Sequence, residues 1–218
     1  MAEIGLFEAM YSTRALRRFK TDPVPDELIG KILDAAIQAP SGSNDQNWLF
    51  MVVTEEGQRK LVAGIYRKAA DRAHLTDYIA AKFGSGDRTA KLIAKSVVHL
   101  VEHIHEVPLF IIPCLNVGNA ASQDPKFRER MGRLEGGSIY PAIQNLMLAC
   151  RAVGLGTVLT TIHALYEEEM KEILGLPPEY ATFALLPIGF PTDKFGPVKR
   201  RPITQVAHRD RYGNNWPG

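Results

Sequence analysis

The chain alternates between segments whose apolar residues recur every three or four positions and short runs that are apolar almost throughout. The first pattern is typical of helices with one buried face, and the second of strands inside a sheet. Residues 25–39 and 138–153 have the helical spacing, whereas residues 48–53 and 109–115 are continuous apolar runs. Because several strands carry proline and the connections vary, this alternation predicts an α+β fold with a mixed central sheet flanked by helices.

Further elements are predicted from the same two patterns. The predicted helices cover 61–73, 90–104 and 167–175, and the predicted strands cover 157–161 and 183–190. The strand at 48–53 is expected to be covered on both faces. Pro113 has no N–H for a ladder, so the strand at 109–115 is predicted at an edge or a bulge.

The composition excludes several classes of function. The chain has 218 residues with 26 basic and 24 acidic side chains, a balance that gives no bulk electrostatic reason to expect a nucleic-acid partner. No apolar run approaches the roughly 18 residues of a membrane span. Two cysteines and no recognisable export signal or lipidation motif favour a cytoplasmic protein. Both cysteines, Cys114 and Cys150, are expected to be packed in the interior.

The length fits a single domain over residues 1–218. The last segment, residues 196–218, is polar, basic and interrupted by proline and glycine. A tail of this kind has little core of its own, so we expect it to lie on a second subunit. The glycine-rich residues 83–87 are expected to be mobile, and the polar residues 119–137 are expected to cover part of the molecule.

Two basic clusters lie at opposite ends of the chain. The first contains Arg14, Arg17, Arg18 and Lys20, and the second is the run Lys199, Arg200 and Arg201. Arginine side chains grip phosphate oxygens with two parallel hydrogen bonds. The clusters could therefore converge on one phosphate group, or each could be a solvated surface.

Two further segments carry groups suited to a ligand. Residues 39–48 expose hydroxyl and amide groups between a helix and a strand, which suits the edge of a planar heterocycle or a polyol, although a plain connector fits too. Residues 160–163 end a short strand and could present backbone N–H groups. The Gly-Leu-Gly run at 154–156 follows a helix and precedes a strand, the reverse of a dinucleotide fingerprint.

Metal and nucleophile chemistry find no support in the sequence. His99 and His103 are four residues apart on a predicted helix, but they do not form a His-Glu-x-x-His motif, so no metal is expected. No Gly-x-Ser-x-Gly elbow is present. We therefore name no catalytic side chain.

Five motifs follow one another in a distinctive order. They read TRALRRF at 13–19, APSGSNDQNW at 39–48, QNLMLACRAVGLGT at 144–157, LPIGFP at 186–191 and KRRPI at 199–203. In order and spacing they resemble the motifs of the nitroreductase family of flavin enzymes. The resemblance runs from about residue 9 to residue 203 and is weakest over residues 60–105. Thr13 and Ala15 depart from the family, which has arginine and serine there.

The resemblance implies FMN bound without a covalent bond at the interface of an intertwined homodimer, with the tail wrapping the partner subunit. Residues implied at the phosphate are Arg14, Arg17 and Arg200, with Lys199 and Arg201 as alternatives and Ala15 in the same segment. Residues implied at the flavin are Pro40, Ser41, Gly42 and Asn44 from the partner, Ser138 near the ribityl or pyrimidine side, and Thr160, Thr161, Ile162 and His163 near N5 and O4.

The resemblance also implies an activity. NADH or NADPH would pass hydride to N5 of FMN, and a nitroaromatic, quinone or similar small aromatic acceptor would then take the same place in a ping-pong cycle. Residues 60–105 would form a lid that selects the acceptor. Reductive dehalogenation or other flavin chemistry on the same fold stays open, as does a protein that binds flavin without catalysis.

Overall fold

The structure, a computed structural model, describes residues 4–83, 86–118 and 125–217, and over 125–135 it describes the backbone alone. These residues form seven α-helices and five β-strands, which confirms the predicted α+β class. The helices are α1 (Leu6–Ser12), α2 (Asp26–Ala36), α3 (Glu56–Arg72), α4 (Leu75–Phe83), α5 (Arg88–His103), α6 (Pro125–Ala152) and α7 (Glu167–Leu174). The strands are β1 (Trp48–Val53), β2 (Leu109–Asn116), β3 (Gly156–Thr157), β4 (Tyr180–Thr182) and β5 (Leu186–Gly189).

The five strands form one sheet in the spatial order β1, β2, β5, β3, and β4 also pairs with β2. Each of these strand pairs is antiparallel, so the expectation of a mixed sheet is wrong. The connection between β1 and β2 explains the difference. Val53 at the end of β1 pairs with Phe110 near the start of β2, so the chain leaves and re-enters the sheet at one end. Three helices fill this connection, and an antiparallel return needs no crossover to the far end.

β2 is the central strand, and seven of its eight residues are buried. Of the two alternatives predicted for Pro113, the edge is wrong and the bulge fits, because residues 112 and 113 lie opposite three residues, 183–185. β2 pairs with β5 over 109–111 and with β4 over 114–116, so Pro113 lies between the two partners. Its carbonyl oxygen accepts a hydrogen bond from the N–H of Phe183 at 2.9 Å. The N and O of one strand residue point the same way, so the missing N–H faces this irregular stretch and not β1.

β1 is an edge strand that pairs with β2 alone in the described chain. Its residues are half-buried except for the exposed Val52 and the buried Val53. Both faces of β1 are covered as expected, though incompletely: Leu49 and Met51 pack against one core layer, and Trp48 and Phe50 pack against the other.

The core has two layers, one on each face of the sheet. Phe110, Ile112 and Cys114 of β2 pack with α3, α5 and α7, whereas Leu109 and Ile111 pack with α2 and α6 on the other face. This alternation follows from the two-residue period of a strand. Both cysteines are buried as predicted, and burial raises the pKa of Cys114 to about 12.

The C-terminal ends of the predicted helices agree with the structure to within a few residues. α2 begins after Pro25 and ends before Pro40, and α7 ends at the left-handed Gly175, whose φ is 63°. Gly154 follows α6 with φ 80°, and the next N–H donates to the carbonyl oxygen of Cys150 at 2.8 Å, a common helix cap. α6 begins at residue 125, well before the predicted residue 138.

Several predictions concern segments that the structure describes in part. Residues 119–124, in the predicted polar cover, and residues 84 and 85, in the segment expected to be mobile, lie outside the described residues. The predicted strand at 157–161 is reduced to β3 and an isolated bridge between Thr160 and Leu185. Among the described helices, none has the length and apolar character required to cross a membrane.

Candidate functional site

The segment 13–19 and the start of the tail lie side by side, although they are far apart in sequence. Phe19 forms a bridge with Pro191, and the N–H of Thr192 donates to the carbonyl oxygen of Arg18 at 3.1 Å. Arg14 donates through Nη2 to the carbonyl oxygen of Lys194 at 2.5 Å. These contacts bring together the two ends of the chain that carry the basic clusters.

A cleft of about 700 Å³ opens beside this pair of segments. Its walls come from residues 10–18, from α5, from α6 and from the tail. The lining residues from α5 and α6 are Thr89, Leu92, Ile93, Lys95, Ser96, Gln144 and Met147, and those from the tail are Asp193, Val198 and Arg200. Arg14, Ala15 and Arg17 also line the cleft. Of the three tail residues proposed from the sequence, Arg200 is the one that reaches it.

The cleft is strongly positive. Its lining contains five cationic side chains and one carboxylate, that of Asp193. Asp193 Oδ2 pairs with Arg18 Nη1 at 3.3 Å. In the part of the chain that the structure describes, the other four cations, Arg14, Arg17, Lys95 and Arg200, form no salt bridge. A concave surface with several unpaired cations attracts and concentrates anions.

Arg17 is the most shielded of these cations. Its guanidinium is partly buried, and burial lowers its pKa below the ordinary value for arginine. Nη1 donates to Ser96 Oγ at 2.9 Å. The neighbouring Tyr66 supplies no negative charge, because burial raises the pKa of its hydroxyl to about 12. A shielded cation without a counter-ion is costly, so an anion in the cleft would stabilise Arg17.

A second group of predicted residues meets at the loop after α2. The N–H of Gly42 donates to Ser138 Oγ at 3.1 Å, and Ser41 Oγ accepts from the N–H of Gln46 at 3.1 Å. Ser43, Asn44 and Gln46 adopt positive φ values of 52°, 57° and 48°. Residues other than glycine rarely adopt this conformation, and clusters of such residues often mark functional loops. Pro40 precedes this loop and is exposed.

The third predicted group, residues 160–163, is fixed at both ends by hydrogen bonds to other segments. Thr160 exchanges backbone hydrogen bonds with Leu185, and its Oγ1 donates to the same carbonyl at 2.7 Å. The side chain of His163 is fully buried, with Nε2 3.2 Å from Thr182 Oγ1. Thr161 and Ile162 connect these two residues, and Ile162 begins a 3₁₀ turn.

His163 belongs to a short chain of hydrogen bonds that also includes Thr182 and Glu167. Thr182 Oγ1 donates to Glu167 Oε1 at 3.0 Å, so the hydroxyl accepts from His163 Nε2–H. His163 Nδ1 then carries no hydrogen and has no partner in the described structure. Burial lowers the pKa of His163 to about 4, so the ring is neutral near pH 7. The predicted role of this residue at a flavin rests on its backbone, since the side chain faces the core.

α6 connects the cleft with the loop after α2. It carries Gln144 and Met147 in the cleft wall and Ser138 at the loop. Nine residues separate Ser138 from Met147, which corresponds to roughly 14 Å along a helix axis. The contributions of α5 to the cleft, Lys95 and Ser96, were missed by the sequence reasoning. The one available signal was the cationic first half of α5, where Arg88, Lys91 and Lys95 outnumber the single nearby carboxylate, that of Asp87.

The described residues contain no group of three or more histidine, cysteine, aspartate or glutamate side chains that could hold a metal ion. His99 and His103 stack with ring centroids 4.3 Å apart, and His103 pairs with Glu106 at 2.9 Å. These contacts are typical of a polar helix surface.

Comparisons with known proteins place this geometry in context. The sequence model of the nitroreductase family matches residues 10–190. An NADH dehydrogenase of Thermus thermophilus is 28% identical over 208 residues, which cover 91% of this chain and 93% of the relative. An iodotyrosine deiodinase of Thermotoga neapolitana is 26% identical over 204 residues, covering 94% and 96%.

Solved structures share the fold at lower identity. A BluB-like flavoprotein from Clostridium difficile superposes with a TM-score of 0.71 at 23% identity, covering 95% of this chain and 100% of that one. An iodotyrosine deiodinase bound to FMN and 3-iodo-L-tyrosine superposes with a TM-score of 0.66 at 22% identity, covering 95% and 99%.

Proposed function

The chain belongs to the nitroreductase family, and we propose that it is an FMN-dependent oxidoreductase that passes hydride from NADH or NADPH to a small aromatic acceptor. Nitroaromatics and quinones are the acceptor classes we put forward. The names of its relatives, among them an NADH dehydrogenase and NAD(P)H nitroreductases, support a nicotinamide reductant. The deiodinase structure with bound FMN supports the choice of flavin.

The observation that carries the proposal is the shielded Arg17 in a cleft with three further cations, all four without a salt-bridge partner among the described residues. A phosphate monoester brings close to two negative charges and several acceptor oxygens. Arginine pairs with such a group through charge-assisted hydrogen bonds, which are stronger than neutral ones. Arg14, Arg17 and Arg200 would therefore hold the FMN phosphate, with Lys95 adding charge from α5.

The rest of the cofactor would extend along α6. The distance of roughly 14 Å from Met147 to Ser138 is one that an extended flavin mononucleotide can bridge. Leu92, Ile93 and Met147 offer apolar contacts in the cleft wall, and Ser138 with the N–H groups of the loop after α2 offers polar ones. These residues fit the alternation of charged, polyol and aromatic parts in FMN.

FMN, when bound, supplies the hydride chemistry, and the protein supplies binding, orientation and exclusion of water. The residues of this chain need no nucleophile for that task. His163 is buried and neutral and donates to Thr182, so it supplies no proton to a ligand. We therefore assign binding roles and no catalytic side chain.

We also propose a cytoplasmic homodimer in which the tail lies on the partner subunit. Within residues 196–217, the large apolar side chains are exposed in the single chain, at 59% for Ile203, 52% for Val206, 93% for Tyr212 and 43% for Trp216. Burial of such side chains is favourable by roughly 1.5–3 kcal/mol each. The half-exposed edge strand β1 would gain cover in the same assembly, and the partner's loop after α2 would complete the flavin site.

Reductive dehalogenation is the alternative that the deiodinase relatives suggest. An amino-acid substrate such as iodotyrosine carries an ammonium group, which calls for a carboxylate partner. Asp193 is the single carboxylate among the described residues that line the cleft, and it is already paired with Arg18. The described charge distribution therefore favours an acceptor without an ammonium group.

A spectrum tests the proposal. The protein is purified in the presence of FMN, desalted, and measured before and after anaerobic addition of NADH or NADPH. We expect a flavin spectrum that bleaches with the nicotinamide and returns when a quinone or nitroaromatic is added. Retained flavin that neither NADH nor NADPH bleaches would instead identify a flavin-binding protein, and a colourless protein would overturn the cofactor. Reoxidation by iodotyrosine with release of iodide would favour dehalogenation.

A further inference from the structure

The N-terminal wall of the cleft has arginines but no free hydroxyl group. Ser12 Oγ donates to the carbonyl oxygen of Glu8 at 2.6 Å, and Thr13 Oγ1 donates to that of Ala9 at 2.7 Å. Ala15, which lines the cleft, has no hydroxyl at all. The serine and threonine hydroxyl hydrogens of this segment are thus both used by the last turn of α1, and neither can be donated to a ligand.

α5 brings a hydroxyl to the same place. Ser96 lines the cleft, and its Oγ accepts the hydrogen bond from Arg17 Nη1 at 2.9 Å. A serine inside a helix often donates to the carbonyl four residues before it. The described hydrogen bonds contain no such bond from Ser96, and its hydroxyl hydrogen has no acceptor among the described residues. The Ser96 hydroxyl group therefore faces the cleft and can still donate a hydrogen bond.

A hydroxyl can accept one hydrogen bond and donate another at the same time. Phosphate oxygens accept hydrogen bonds, so a hydroxyl that already holds an arginine can donate to the phosphate that this arginine attracts. The neighbouring Lys95 also lines the cleft and adds positive charge at the same turn of α5. Thr89, the other α5 hydroxyl in the lining, lies seven residues earlier, roughly 10 Å along the helix, and is too distant to share the phosphate of Arg17.

We infer that Ser96 is a phosphate-binding residue of this protein, which orients Arg17 by accepting its hydrogen bond and donates its own hydroxyl hydrogen to a phosphate oxygen of FMN. The inference rests on the proposed function. It assigns to α5, within the segment expected to act as a lid, a part in holding the cofactor. A lid helix that also holds the phosphate couples the position of the lid to cofactor binding.

The affinity for two flavins tests this inference. FMN and riboflavin share the ring and the ribityl chain, but riboflavin has no phosphate. We expect Ser96→Ala to raise the Kd for FMN about tenfold, the loss typical of one charge-assisted hydrogen bond, and to leave the Kd for riboflavin unchanged. Both constants are measured by flavin fluorescence quenching on the full-length protein freed of flavin.

Two variants serve as controls. Ser96→Thr keeps the hydroxyl and should keep most of the preference for FMN over riboflavin. Thr76→Ala removes an exposed hydroxyl from the neighbouring helix α4, outside the cleft, and should change neither constant. Circular dichroism and thermal unfolding establish that each variant is folded before titration.

The outcomes separate the inference from the proposed function. An unchanged Kd for FMN in Ser96→Ala would overturn the role of Ser96, and so would an equal loss for FMN and riboflavin, which would mark a purely structural serine. A wild-type protein that binds neither flavin would overturn the proposed function itself. A Ser96→Thr variant as weak as Ser96→Ala would show that the hydroxyl is not what the site uses.

Discussion

The cationic cleft and the region around His163 differ in how their polar groups are paired. The cleft keeps four cations without a carboxylate partner in the described chain, whereas His163 is neutral and joined to Thr182 and Glu167. In the first region the missing partner is a charge, which a ligand can bring. In the second, the polar groups satisfy one another apart from one ring nitrogen. The contrast teaches that unpaired charge, more than buried polarity, marks the site in this protein.

The largest expected effect concerns the buried His163. The pKa of His163 falls from 6.5 to about 4 in the folded protein, so the unfolded chain takes up the proton first as the pH falls. This contribution to stability is complete above pH 6.5 and is lost between pH 6.5 and about pH 4. The shift corresponds to about 3 kcal/mol. Urea unfolding across this pH range, in wild type and in His163→Gln, measures it.

Other carboxylates and histidines also titrate in this range, so the difference between the two proteins is the quantity of interest. His163→Gln should be less stable than wild type near neutral pH, because the buried site is disturbed. The difference between the two proteins in the free energy of unfolding should narrow as the pH falls. Parallel pH profiles for the two proteins would contradict the assignment of a neutral buried ring.

The second effect concerns the charged side. Arg17→Ala removes the most shielded cation of the cleft and should weaken FMN binding by roughly 1.5–3 kcal/mol, the value of a hydrogen bond to a charged group. Flavin fluorescence titration measures the Kd. Lys31→Ala is a matched control, since Lys31 pairs with Glu27 on the exposed face of α2. If Arg17→Ala retained FMN with unchanged affinity, the phosphate would have to lie elsewhere.

A smaller effect is expected where the loop after α2 meets α6. Ser138→Ala removes the acceptor of the Gly42 N–H and should lower the free energy of unfolding by about 1 kcal/mol or less, because the group is accessible to water. The same change should weaken riboflavin and FMN alike, since Ser138 is proposed to lie near the ribityl chain or ring. A loss confined to FMN would place Ser138 at the phosphate instead.

The smallest effect tests the pairing inside the cleft. Asp193→Asn removes the one carboxylate in the described lining and releases Arg18 from a partly exposed ion pair. Such pairs contribute about 0–1 kcal/mol, so stability should barely change. FMN should bind a few-fold more tightly, because a repulsive charge is gone. Weaker binding in Asp193→Asn would mean that Asp193 positions a ligand group.

Sequence and structure agree best for features that depend on residues close together in the chain. The helical spacing and proline signals around α2 correctly predicted its place, and Gly154 and Gly175 correctly predicted two helix ends. These signals act over one or two turns. Pro113 correctly indicated an interruption in strand pairing, but the sequence could not decide between an edge and a bulge. Here two partner strands leave a gap opposite that residue.

The residues of the candidate site also fall into those that the sequence revealed and those that only the tertiary structure revealed. The basic clusters around Arg17 and Arg200 could be recognised from residue types, because arginine chemistry does not depend on the fold. Ser96 could not, since a serine in a helix carries no signal until another segment is placed against it. The buried orientation of His163 was equally hidden, because its hydrogen-bond partner Thr182 lies 19 residues away in β4 and is held in turn by Glu167 of α7.

By itself, the sequence determined the central parts of most helical and strand segments, the two basic clusters and the five family motifs, since each depends on neighbouring residues and their side chains. Only the tertiary structure decided that the sheet is antiparallel, that β2 lies at its centre and that Ser96 meets Arg17. Periodicity reports that a face is buried but not what buries it. The choice of partner depends on packing among elements that are distant along the chain.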